Sequence, residues 1–174
     1  MSSEEMVYDM SGARLALTLC ITKGREGAEP DTAALERMYR ALRFESTVKR
    51  DPPAQVPSHL PNPVDQKDTG EMLRTEQVLT TMFQELPKIP TFTDTLHVYS
   101  TVEDKGYITY RNVKEGSCFI QTLVDVFITG KSNILDLLTE VTRWMAEAEL
   151  VWEGQVRKVN PEIYSTLRKQ LYLQ

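Results

Sequence analysis

The side chains that build nucleophilic or metal sites are few in this chain: Cys20 and Cys118, His59 and His97. A metal site needs such ligands at close, regular spacing. These four have none, and there is no Cys-x-x-Cys, so no metal and no cofactor is expected. Cys20 falls inside the apolar run of residues 14–22, where a thiol is inert packing. Cys118 opens a stretch that reads as a helix, and a helix N-terminus lowers a thiol's pKa. That makes Cys118 the cysteine to watch, although burial is the ordinary state of both. His97 lies in a strand-like stretch and reads as structural, whereas His59 stands among prolines. Two arginines are candidates for holding a carboxylate: Arg25, in the loop Lys23-Gly24-Arg25-Glu26-Gly27, and Arg111, in Tyr110-Arg111-Asn112. Guanidinium is permanently charged and bidentate, which suits a buried carboxylate. Taken locally, each is more simply a solvated surface arginine. The loop's two glycines lack the spacing and the Lys-Ser/Thr of a phosphate cradle.

The elements that must position these residues follow from periodicity. Residues 14–22 are nearly continuously apolar, which predicts a strand buried on both faces. Leu35, Met38, Tyr39 and Leu42 form one helical stripe over about Asp31 to Leu42, capped by Asp31 or Thr32. Residues 44–49 alternate like a half-exposed strand. Strand, loop, helix, strand is the start of an α/β domain. Pro52, Pro53, Pro57, Pro61 and Pro63 then break the pattern into an extended linker. A short helix is predicted over 71–85. Strands are predicted over 96–102 and 107–111, then an apolar helix over 117–128 closed by Gly130. An amphipathic helix follows over 133–149, carrying Ile134, Leu137, Leu138, Val141, Met145 and Ala148. Leu171-Tyr172-Leu173 reads as a final strand. There are no internal repeats.

The chain has 174 residues, enough for one domain, with a net charge of −5. The charge argues against nucleic acid as the main partner. No apolar run approaches the roughly 18 residues of a membrane span. Residues 1–10 lack the basic start and apolar core of a signal peptide. Two lone cysteines suit a reducing compartment. A cytosolic or nucleocytoplasmic protein is expected, without nucleic-acid or membrane partners.

Four stretches resemble the caspase family. They are residues 8–17 (YDMSGARLAL), then 42–47 (LRFEST) closing with Lys49-Arg50-Asp51-Pro52, then 89–91 (IPT) with 96–103 (LHVYSTVE), and finally Tyr110-Arg111 with 116–123 (GSCFIQTL). The resemblance runs on through Leu137-Leu138-Thr139-Glu140-Val141 to 171–174, and covers roughly 8–51 and 89–174. Caspases are cysteine endopeptidases that cut after aspartate. The resemblance implies an α/β fold with a mostly parallel sheet flanked by helices. Residues 1–51 are then large-subunit-like, 52–88 a proline-rich divergent linker and 89–174 small-subunit-like, together one caspase-like domain.

By this resemblance Arg25 and Arg111 match the two arginines that grip the substrate's aspartate side chain. The nucleophile is missing, because the family's Q-A-C-[RQG]-G pentapeptide does not occur. Ser58-His59, with Gly70-Glu71-Met72 downstream, matches the catalytic-histidine loop in spacing. Leu60 replaces its glycine, however, and leaves His59 as a relic of the catalytic histidine. No catalytic set is intact.

The resemblance also implies a truncated sheet with its central strands missing, between the second strand and the Leu96 strand. The two halves must then meet directly or remain apart. Each buried, unpaired backbone group costs about 1–3 kcal/mol, against a total stability of about 5–15 kcal/mol. The strands must therefore re-pair, recruit a partner at their open edges, or give an unstable product. Three functional readings follow. The first is a catalytically inactive homologue that pairs with caspase subunits, as homo- or heterodimer, through residues 89–174. The second is an active protease using Cys118 or a shared site, in apoptosis or differentiation. The third is the non-functional product of a decayed gene.

Overall fold

The computed structural model describes residues 6–23, 27–52, 93–100, 111–112, 114–152 and 155–174, with the backbone alone at 111–112, 150–152 and 155–157. The 71–85 helix and most of the 107–111 strand lie outside the described residues.

Strand β1 (Leu15–Cys20) pairs in parallel with β2 (Glu45–Arg50), Leu15 opposite Glu45 and Cys20 opposite Arg50. Helix α1 (Ala28–Ala41) makes the crossover. Its stripe of Leu35, Met38 and Tyr39 is buried, as the periodicity requires. The cap differs from expectation. Gly27 is the N-cap, at φ 85°, with no side-chain cap bond, a conformation that glycine adopts without penalty. Asp31 and Thr32 lie one turn in. Thr32 Oγ1 donates back to the Ala28 carbonyl at 2.9 Å, and Asp31 is recruited elsewhere.

The prediction for β1 is corrected on one point. α1 covers the face of Ala16, Thr18 and Cys20, but the opposite face is open: Leu15 is 70 %, Leu17 57 %, Leu19 48 % and Ile21 43 % exposed. An apolar run registers that both faces want cover; it does not provide the covering element. The Arg14 carbonyl accepts from Glu45 N–H at 2.7 Å and the Cys20 carbonyl from Asp51 N–H at 2.8 Å. Even-numbered backbone groups therefore face β2, and those of Leu15, Leu17 and Leu19 face away from it.

In the second half, β3 (Leu96–Tyr99) pairs antiparallel with β8 (Glu162–Ser165). Between them in sequence come β4 (Arg111–Asn112), β5 (Gly116–Ser117), α2 (Cys118–Thr129), α3 (Ile134–Glu147), β6 (Leu150–Trp152) and β7 (Gln155–Arg157). β4 pairs with β5 and β6 with β7, both antiparallel. The parallel pairing implied by the resemblance is represented among the described residues by β1–β2. β8 and the β6–β7 hairpin were not legible as strands, because their segments are too short to show a period.

Asn133 caps α3, its Oδ1 accepting from Leu135 and Asp136 N–H at 3.0 and 3.3 Å. Gly130 does close α2, but with φ −81° and ψ 145°, outside the left-handed region. Space explains the glycine: a Cβ would overlap Leu137 Cδ2 and lie 2.8 Å from the Val126 carbonyl. Leu171-Tyr172-Leu173 is not a strand. Leu171 and Leu173 are buried, and the segment is tied by single bonds, among them Ile134 N–H to the Leu171 carbonyl at 2.8 Å and one bridge between Val7 and Gln170.

Among the described residues, the two halves meet through helices and not through a continuous sheet. α1 packs on α2 and α2 on α3. One apolar core joins Leu35, Met38, Tyr39 and Leu42 to Leu96, Val98, Leu123, Phe127, Leu138 and Met145. Arg14 adds a polar clamp, donating to the carbonyls of Met10, Leu42 and Leu173. A second link gathers Tyr8, Asp94 and Arg168. Tyr8 Oη donates to Asp94 Oδ1, and Arg168 Nε donates to the same oxygen at 3.0 Å. The Arg168 hydrogen bonds, with help from Tyr8, hold the Asp94 carboxyl at about 2 against the opposing effect of burial.

Candidate functional site

Of the residues singled out by sequence, Arg25 and His59 lie outside the described residues. Arg111 opens β4 and pairs with Ser117 on β5. Ser117 N–H in turn donates to Asp31 Oδ1 at 2.6 Å, a buried hydrogen bond. Gly116, at φ 83°, lets the hairpin come this close, since a Cβ there would overlap Asp31 Oδ1. The hairpin that carries Arg111 is thus seated on the first turn of α1, the helix into which the Arg25 loop leads. Sequence reading took Asp31 for a cap and missed this tie. Its signal was a carboxylate in the first turn of a helix, which many unrelated positions share.

The start of the Arg25 loop is also fixed. Asp51 accepts from Thr22 N–H at 2.8 Å, from Lys23 N–H at 3.3 Å and from Thr22 Oγ1. The Thr22 hydroxyl bond is the main reason that the Asp51 carboxyl sits below its usual range. Asp51 belongs to the Lys49-Arg50-Asp51-Pro52 stretch, which thereby ties the end of β2 to the end of β1.

The two cysteines differ in their surroundings. Cys20 is buried on β1, its Sγ 3.4 Å from Thr32 Oγ1. Cys118 opens α2 and is part-buried; burial pushes its thiol up, and a hydrogen bond with Thr122 opposes this more weakly. Both thiols are free. His97 stacks with Tyr99 and packs edge-on to Tyr164 across the β3–β8 pair, centroids 6.3 Å apart in each case. Neither cysteine has a histidine partner among the described residues. Nor, among them, do three His, Cys, Asp or Glu side chains gather as a metal site requires. No helix among the described residues is long and apolar enough to cross a membrane. A groove of about 560 Å³ between α2 and α3, with Asp125, Glu140, Trp144 and Glu147 in its lining, is lined by no cysteine or histidine.

The family model described as "Caspase domain" matches residues 58–172. Human Caspase-14 is 46 % identical over 239 residues, with 99 % of this chain and 98 % of the relative covered. The chain belongs to the caspase family. Mouse Caspase-14 is 41 % identical, covering 98 % and 96 %. Bovine Caspase-3 is 35 % identical over 92 residues, 49 % of this chain and 32 % of the relative. The caspase-family model spans both His59 and Arg111. The alignment with human Caspase-14 runs over 239 positions, against the 174 residues present here. Internal residues of that caspase therefore have no counterpart in this chain. The small, separated sheets are the fold of a truncated caspase-like α/β domain.

Proposed function

We propose that this chain is a catalytically inactive caspase homologue that acts by pairing with caspase subunits through residues 89–174. The observation that carries the reading is in the sequence: the Q-A-C-[RQG]-G pentapeptide is absent, and neither remaining cysteine has the environment of a thiolate. Cys20 is packed against α1, and the Cys118 thiol is pushed up by burial. A nucleophilic cysteine requires the opposite, a lowered pKa beside a base. His59 then has no thiol to activate.

In this reading Arg25 and Arg111 keep the pocket for an aspartate side chain. Support comes from the Asp31–Ser117 bond, which seats the Arg111 hairpin on the helix that follows the Arg25 loop. The chain would bind an aspartyl peptide without cutting it, in the cytosol or nucleus, in processes served by its family, apoptosis or differentiation.

The test mixes purified chain with an active caspase and follows complex formation by light scattering after size exclusion. A one-to-one complex is expected, together with no turnover of aspartyl substrates by the chain alone. An aldehyde peptide ending in aspartate should bind, and Arg111→Ala should weaken it at least tenfold. Turnover by the isolated chain, or covalent labelling of Cys118 by an aspartyl electrophile, refutes the inactive reading. Failure to associate with any family member refutes the pairing.

A further inference from the structure

Among the described residues, β1 is an edge of its sheet. Among the described residues its far edge pairs with no strand, while the near edge is fully engaged by β2. The backbone groups of Leu15, Leu17 and Leu19 face that far edge, as the bonds from Glu45 to Arg14 and from Asp51 to Cys20 require. The same residues, with Ile21 beyond them, form the exposed apolar row. Each thus presents an outward N–H, an outward C=O and an apolar side chain together. An edge of this kind, long and uncharged, is a template for another strand.

We propose that the far edge of β1 and the row Leu15, Leu17, Leu19 and Ile21 form a docking site for an extended, uncharged strand of a partner polypeptide, which adds to the sheet beside β1. The occupant's chemistry follows from the edge. It must supply backbone donors and acceptors at two-residue spacing, and alternate apolar side chains to stand beside the leucines. A charge opposite the row would have no partner.

Area argues against simple face-to-face packing of two copies. A stable interface buries about 800 Å² on each side, more than four half-exposed side chains of one strand supply. Strand addition does not depend on area alone, because each added residue pair brings backbone hydrogen bonds. Length argues in the same direction: human Caspase-14 carries internal residues that this chain lacks. The site lies on residues 14–22 and is independent of the pairing through 89–174.

The experiment is residue-resolved amide hydrogen exchange on the full chain, with and without a synthetic octapeptide alternating valine and threonine. The control is the same peptide N-methylated at every residue, which has no N–H to donate to the ladder. In the free monomer, fast exchange is expected at Leu15, Leu17 and Leu19, and slow exchange at Ala16 and Thr18. The octapeptide should slow the three odd positions at least tenfold, and the control should not. Leu17→Lys, on an exposed position, should keep the dispersed amide spectrum and weaken peptide binding at least tenfold. Odd amides already slow in the free monomer would overturn the proposal, since the chain then covers its own edge. Odd amides slow only in a dimer would name a second copy as occupant and overturn it too. So would an octapeptide that leaves all three unchanged. Were Leu17→Lys to unfold, the wild-type comparison of octapeptide and control still decides.

Discussion

Replacing Asp94 with Asn should cost this protein about 1–2 kcal/mol at neutral pH, with most of that loss disappearing in acid. Asp94 joins the halves: it accepts from Tyr8 near the N-terminus and from Arg168 near the C-terminus. Its carboxyl lies at about 2, against an ordinary 3.8, chiefly because of the Arg168 hydrogen bonds. At roughly 1.4 kcal/mol per pKa unit, that depression corresponds to about 2.4 kcal/mol. Asp94 is buried, but the Arg168 side chain is 49 % exposed, so water screens the pair and the lower figure is the working one. The folded pKa is depressed, so the contribution is complete above the ordinary value of 3.8. It declines as pH falls through the interval down to about 2, and about half remains at pH 3. Asn suits this test because residue 94 sits at φ 58°, where Asn is tolerated nearly as well as Asp; Ala would add backbone strain. Urea denaturation of wild type and Asp94→Asn at pH 7, 5 and 3 should show a gap that is constant between 7 and 5 and clearly smaller at 3. At neutral pH the thermal midpoint should fall by about 2–8 °C. A gap independent of pH, or below about 0.3 kcal/mol at pH 7, would refute the assignment of the Asp94 shift to the Arg168 pair.

Leu123 is fully buried on α2, the middle helix of the packed three; Leu123→Ala should cost about 2–5 kcal/mol in the same denaturation assay. Asp31→Ala leaves the Ser117 N–H buried without its acceptor, which should cost about 1–3 kcal/mol, and amide exchange should speed up at Ser117 more than in the α2–α3 core. Gly130→Ala should destabilise by about 1–3 kcal/mol through overlap with Leu137, since φ −81° itself suits alanine. It follows that Gly130→Ala combined with Leu137→Ala should cost less than the sum of the two single changes. Cys118, with its thiol pushed up, should react with iodoacetamide at pH 7 more slowly than a free thiol and reach the ordinary rate in urea; equal rates in both would count against burial as the cause.

Several features were written in the sequence alone. The stripe Leu35, Met38, Tyr39 and the run Ile134, Leu137, Leu138, Val141, Met145 specify amphipathic helices because their spacing matches 3.6 residues per turn. The parallel β1–α1–β2 unit, the family and the lack of the Q-A-C-[RQG]-G pentapeptide are equally local, each carried by contiguous residues. Tertiary structure decided what depends on distant neighbours. Asp31 looks like a helix cap until Ser117, from the other half of the chain, arrives to donate to it. Cys118 opens a helix by its sequence, and only packing buries its thiol enough to push it up. The run at β1 asks for cover on both faces, and only packing reveals that α1 covers one and leaves Leu15, Leu17 and Leu19 outward. The halves hold together through α1, α2 and α3 because apolar burial is non-directional and can join helices from distant parts of the chain. Strand edges are directional, so among the described residues β1 pairs with β2 and β3 with β8, as geometry brings them alongside.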